Sequence, residues 1–252
     1  MMQDKERFLA ACDKICGQER EKAGIGTLSE KTVHAVLKEY LEPREECQEQ
    51  KVGSFYADIH NENGIMEIQT RSFRNLRKKL AYFLKIEKVT IVYPIPYTKW
   101  VWWLNEETGE LTGGRKSPKK GTPYLILYEL YQIMDFLQEP NLKLRLVFMD
   151  MEEIKLLNGC SYNKKRGAHR YDRIPKALVE EIEITGIKDY VKLIPESLLG
   201  EFTVKDFKKA AKLSDSAAAK GIYVLMKVGV IERIGKKGRA YLYQRKESIT
   251  ES

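Results

Sequence analysis

The chain has 252 residues, 43% of them apolar and 32% charged, and carries a formal net charge of +8. That length suits one large domain or two unequal ones, and the apolar share supports a packed core. The positive balance points to an anionic partner without naming it, and no apolar run approaches the roughly 20 residues of a membrane-spanning helix, which excludes that class.

The N-terminal "MMQDKERFLAACDK" is charged and lacks the apolar stretch of a signal peptide. It opens an amphipathic helix over about 3–20. Cys12, Cys16, Cys47 and Cys160 are scattered, and no second pair joins Cys12 and Cys16 in a zinc-like spacing. They are read as reduced thiols, which places the protein in the cytoplasm. After "GIG" at 24–26, Thr27 and Ser29 supply cap residues for a helix that runs to Glu42 and stops at Pro43. Its apolar stripe holds Val33, Leu37, Tyr40 and Leu41, and Glu30 and His34 fall on the same side. Glu30 is either an acid aimed at the sheet or a first-turn partner of the helix dipole. His34 reads as a packed histidine.

Two strands follow, near 52–60 and 65–70, joined by the turn signal "NENG". With Asn61–Gly64 as the loop, His60 meets Ile65, Ile59 meets Met66 and Asp58 meets Glu67. Alternation puts Phe55, Ala57, Ile59, Met66 and Ile68 on one apolar face and Tyr56, Asp58, Glu67 and Gln69 on the other. Like charges opposed across a hairpin, about 5 Å apart at Cβ, are unfavourable. Either this face looks at water, or a divalent cation sits between the acids.

Phe73, Leu76, Leu80, Phe83 and Leu84 mark a helix over Ser72–Lys85. "KVTIVYPIP" is expected to be a buried strand ended by its prolines, and "KWVWWLNEETGELTGG" a hairpin turning at Asn105–Gly109. Trp100 and Trp102 share one face of it and Trp103 the other, for core packing or for base stacking. The basic loop "GGRKSPKKGTP" leads to a helix over Tyr124–Leu137. "LKLRLVFMDMEEIKLL" reads as a long strand, "YNKKRGAHRYDRIP" as a second basic loop, and 175–184 as a helix. Arg115, Lys116, Lys119, Lys120, Lys164, Lys165, Arg166, Arg170 and Arg173 line a nucleic-acid groove or are solvated loop residues.

The acids at Glu30, Asp58 and Glu67, set on helix, hairpin, helix and buried strand, resemble the PD-(D/E)xK nuclease superfamily over about residues 27–95. The resemblance implies a restriction-endonuclease-like α+β fold, a mixed sheet flanked by helices. It further implies Mg²⁺ (or Mn²⁺) held by Asp58, Glu67, Glu30 and the Ile68 carbonyl, and phosphodiester hydrolysis in DNA. The family's lysine is replaced by Gln69, whose amide can bond the attacking water but carries no charge. Lys79 on the next helix, or Arg71 at the strand end, can supply that charge instead; each is otherwise a solvated base. The stretches "VYPIP.KW", "ETGELT" and "SPKKGTPY" also resemble an uncharacterised bacterial family with no assigned activity.

Residues 195–252 hold 12 Lys/Arg against 7 Asp/Glu. Thr203 with Asp206 caps a short helix whose inner side is Val204, Phe207 and Ala211. After "SDS", a helix over Asp215–Val228 turns Ala218, Ile222 and Leu225 inward and Ser216, Lys220, Tyr223 and Lys227 outward. "VIERIGKKGRAYLYQRK" follows as strand, basic turn and strand. This order resembles a winged helix-turn-helix. The resemblance implies the outer stripe in the major groove and Lys236, Lys237 and Arg239 on phosphates. The expectation is therefore a restriction-endonuclease-like domain over 1–194 and a winged helix over 195–252. Together they make a metal-dependent deoxyribonuclease, a homodimer if it cuts both strands. The alternatives are a DNA-binding regulatory protein with an inactive nuclease-like core and a protein-interaction module.

Overall fold

The computed structural model describes residues 2–22, 32–70, 72–157 and 168–246. Glu30, Arg71, Lys164, Lys165, Arg166, Cys160 and the cap residues Thr27 and Ser29 lie outside them. The helices are α1 (Met2–Lys22), α2 (Thr32–Leu41), α3 (Arg77–Phe83), α4 (Leu127–Leu130), α5 (Val204–Ala211) and α6 (Asp215–Val228). The strands are β1 (Gln48–Val52), β2 (Phe55–Asn61), β3 (Gly64–Ile68), β4 (Val89–Asn105), β5 (Leu111–Lys116), β6 (Leu142–Leu157), β7 (Ala168–Ile184), β8 (Ile231–Lys237) and β9 (Ala240–Arg245). The molecule is α+β, with helices flanking a mixed sheet ordered β1-β2-β3-β4-β6-β7, β5 pairing with β4, and with a separate β8-β9 ribbon.

The chain divides into two compact units. One comprises residues 1–50, 94–121 and 147–181, the other 51–93, 122–146 and 182–252. Residues 195–252 fall in the second. In the first unit the rings of Phe8 and Tyr40 meet edge-on at 5.3 Å, and Val36, Leu37, Ile95 and Met151 are fully buried. In the second, Ile59, Phe73, Leu80, Phe83, Ile91 and Leu127 are fully buried. The stripe expected on the 72–85 helix is thus turned inward, although its first turn is a 3₁₀ helix over Phe73–Leu76 capped by Ser72 Oγ.

The β2–β3 hairpin has the anticipated register, Ile59↔Met66 and His60↔Ile65. It turns through two residues rather than four, because Asn61 still pairs with Gly64 and Asn61 Oδ1 accepts from Asn63 N at 2.9 Å. Gly64 holds φ 106°, where a Cβ would meet the Lys88 carbonyl, so the turn requires glycine. β3 then pairs in parallel with β4, from Ile65↔Val89 to Ile68↔Val92.

The structure departs from expectation at four further points. β4 does not stop at its prolines: Pro94 and Pro96 lie beyond the last parallel pair at Val92, so their missing N–H groups break no bond of that ladder. Residues 175–184 are strand, part of β7, and not helix. Their Ala, Leu and Glu carry helix propensity, but propensity is a weak prior that tertiary pairing overrides. Arg115 and Lys116 lie on β5, and Arg170 and Arg173 on β7, rather than in loops. Residues 124–137 alternate between 3₁₀ and α geometry, with a kink at Ile133. Among the described residues, no helix is long and apolar enough to cross a membrane.

Candidate active site

Parallel pairing to β4 and the cover of α3 make β3 a strand buried on both faces. Glu67, paired with Ile91, is therefore only 2% exposed. A lone carboxylate is costly there. Lys79, in the first turn of α3, places Nζ 2.9 Å from Oε2 and 3.1 Å from Oε1 of Glu67. Its side chain remains 27% exposed. Asp58, half-buried on β2, accepts a hydrogen bond at Oδ2 from Ile68 N, at 2.7 Å. That bond anchors Asp58 to the strand carrying Glu67.

Burial pushes the Glu67 carboxyl up to about 7, and the negative charge of Asp58 pushes in the same direction. The Lys79 ammonium opposes both and does not overcome them. The ion pair alone would suggest a depressed value, but a short contact with one cation does not restore the hydration that the buried acid loses. Glu67 thus titrates near neutrality between one acid and one base.

Gln69 is half-buried, its backbone N donating to Val92 O at 2.9 Å, and strand alternation places it on the Glu67 side. The structure therefore brings Asp58, Glu67 and Lys79 together, with Ile68 and Gln69 adjoining on the same strand. Glu30 lies outside the described residues. Among the described residues, no group of three or more His, Cys, Asp and Glu stands ready to hold a metal. His34 is half-buried on α2.

In the C-terminal segment, Thr203 and Asp206 form the expected capping box, and Ala218, Ile222 and Leu225 are buried. The outer stripe of α6 is not uniformly open. Lys220 Nζ stands 3.9 Å from the Tyr128 ring centre, and the Tyr223 ring meets Tyr131 edge-on at 5.9 Å. A Cβ at Gly221 would touch Leu127 and Phe207, so α6 packs closely against α4 in the same unit. Ser216 and Lys227 are exposed. On the β8–β9 ribbon, Arg233 and Lys236 flank the Tyr241 ring at 4.5 and 5.1 Å, while Lys237 and Arg239 are exposed at the turn.

Sequence reasoning missed Glu153, which is 5% exposed on β6. Lys99 on β4 donates to both its oxygens at 3.1 Å, Arg173 Nε on β7 to one at 3.3 Å, and Lys155 Nζ lies 3.9 Å away. It also missed buried Asp172, whose Oδ2 accepts from Thr32 Oγ1 at 2.5 Å. Both groupings join residues from distant parts of the chain, and no local spacing signals them.

Fold and site define an α+β protein in which a buried glutamate, beside a half-buried aspartate, is answered by one lysine. Residues 31–185 match the family described as a domain of unknown function, DUF8091, and the chain belongs to that family. It is also 33% identical over 150 residues to an uncharacterized protein of Treponema pallidum (strain Nichols), covering 59% of this chain. The chain spans 57% of the length of that relative. No solved structure matches it. The family match contains Asp58, Glu67, Lys79 and the Glu153 grouping, and ends before residue 195.

Proposed function

We propose that this protein is a cytoplasmic, metal-dependent deoxyribonuclease with a restriction-endonuclease-like core and a C-terminal winged helix. One observation carries the reading: the Lys79 ammonium lies on the Glu67 carboxylate, beside Asp58. The lysine absent at Gln69 is then supplied by α3.

The donor chemistry fits a hard divalent cation. Asp58 and Glu67 offer carboxylate oxygens, Ile68 adjoins with a carbonyl, and the mutual repulsion felt at Glu67 is what a cation would relieve. When bound, Mg²⁺ or Mn²⁺ supplies an acidified water and a Lewis acid for the phosphoryl oxygen. The chain's own residues do the rest. Asp58 and the ionised Glu67 would hold the ion, and the near-neutral titration of Glu67 makes its proton easy to release to solvent. Lys79, partly exposed and held by Glu67, is positioned to offset charge growing on the phosphate. The Gln69 amide orients the water through hydrogen bonds.

Plasmid relaxation in Mg²⁺ tests this. The wild type should nick DNA, EDTA should stop it, and Asp58→Ala/Glu67→Ala should abolish it. Nicking that persists in the double variant would refute the site. The same ion pair favours a second reading, since both Glu67 oxygens already have a partner: a DNA-binding regulatory protein whose acids are structural. That reading expects DNA binding with no cutting in either metal.

A further inference from the structure

The first unit carries a cationic sheet face that neither the acids nor the C-terminal ribbon uses. It is built around Glu153, with Lys99, Arg173 and Lys155 drawn from three strands. Three cations share this one carboxylate. The carboxylate itself is fully answered: burial pushes its pKa up, but Lys99 and Arg173 outweigh that and hold it low. Salt-bridge formation therefore explains one or two of the cations and not the third. Their side chains are 23–35% exposed, against 6% for Glu153, so the acid lies beneath and the bases reach outward.

The same face extends sideways. Arg115 on β5 stands opposite Val101, two residues from Lys99 and hence on its face, and it is exposed. Tyr97, two residues the other way, holds Lys120 Nζ 4.8 Å from its ring centre. Among the described residues of these strands and the loop after β5, five bases thus accompany Glu153 on a surface more than one strand wide. The Lys99, Lys155 and Arg173 head groups gather on Glu153, and Arg115 and Lys120 continue the positive charge along β4 and β5 beyond that cluster. A face that runs on past one such cluster suits a polymer of phosphates better than a single compact anion.

We propose that this face binds the phosphodiester backbone of duplex DNA, independently of the acids and of the β8–β9 ribbon. Lys120 covers the Tyr97 ring on this face, which disfavours stacking of a splayed base there; contact is to phosphates and blind to sequence. The inference rests on the nuclease reading only for the identity of the polyanion, and its test reads binding alone.

A short fluorescein-labelled duplex is titrated by anisotropy in EDTA across a salt series. Wild type should bind with a salt slope set by the number of phosphates it neutralises. Arg115→Gln/Lys120→Gln/Lys155→Gln, all away from the closest Glu153 bonds, should weaken binding about tenfold or more, and the slope should fall by roughly 0.9 for each phosphate left without its cation. Glu153→Gln should tighten binding and steepen the slope, a change that a purely structural ion pair would not produce. If Glu153→Gln fails to fold, the triple variant decides. Unchanged affinity and slope in the triple variant would overturn the proposal, as would binding abolished by Lys236→Gln/Lys237→Gln/Arg239→Gln alone. Asp58→Ala/Glu67→Ala should bind as wild type does, which separates failure of this surface from failure of the catalytic reading.

Discussion

Lys79 Nζ touches both carboxylate oxygens of Glu67, at 2.9 and 3.1 Å, yet Glu67 still holds its proton up to about pH 7. Burial and Asp58 together outweigh one ammonium. The pair is therefore poised: close enough to order both side chains, and too weak to keep the acid fully ionised at neutral pH.

This has a direct consequence for stability. The carboxyl is raised in the folded protein, so the folded state binds the proton more tightly than the unfolded chain. Its stabilising contribution is complete below about pH 4.5 and is lost as pH rises through about 7. Glu67→Gln should remove that slope. Relative to the variant, wild type should lose roughly 3 kcal/mol between those limits, measured by urea denaturation across the range. Parallel pH profiles would show that Glu67 does not titrate there.

Lys79→Met strands the acid pair. At about pH 8 it should cost roughly 3–5 kcal/mol, the usual penalty for breaking one side of a buried ion pair. At about pH 5 the loss should shrink, because Glu67 is then protonated and needs no partner. Chemical denaturation at the two pH values reads the difference directly.

Divalent cation and proton compete for Glu67. Mn²⁺ should raise the melting temperature of wild type more at about pH 8 than at about pH 6, with roughly 2.7 kcal/mol of stabilisation at a hundredfold excess over Kd. Asp58→Asn should abolish the shift. A shift of equal size in the variant would place the ion elsewhere.

The packing of α6 against α4 can be tested at Gly221. A Cβ there would lie 3.1 Å from Leu127 Cδ1 and 3.2 Å from Phe207 Cε1, so Gly221→Ala should destabilise by about 1–3 kcal/mol through overpacking. Helix propensity alone predicts a gain of up to about 1 kcal/mol, so the sign of the change in thermal denaturation is decisive. A stabilised variant would mean that α6 stands away from α4.

What the sequence makes legible depends on distance along the chain. The β2–β3 register follows from alternation and a turn signal within a few residues, and the capping box at Thr203 and Asp206 from a spacing of three. Lys79 is visible there only as a base beside an apolar stripe; its partner emerges once α3 packs on β3. The 175–184 part of β7 reads as helix because the Ala, Leu and Glu of "KALVEE" favour helix locally, whereas the ladder beside β6 is a tertiary effect. The Glu153 grouping draws on β4, β6 and β7, and no single stretch announces it. Lys220 and Tyr223 are legible as an outer stripe, but not their contacts with Tyr128 and Tyr131.

The most direct test is anomalous diffraction from crystals soaked in Mn²⁺. A metal site at the acids requires one manganese peak between Asp58 and Glu67, within carboxylate-bonding distance of both, with the Lys79 ammonium displaced from at least one Glu67 oxygen. Data showing Lys79 still on both oxygens and no peak at the acids would contradict it.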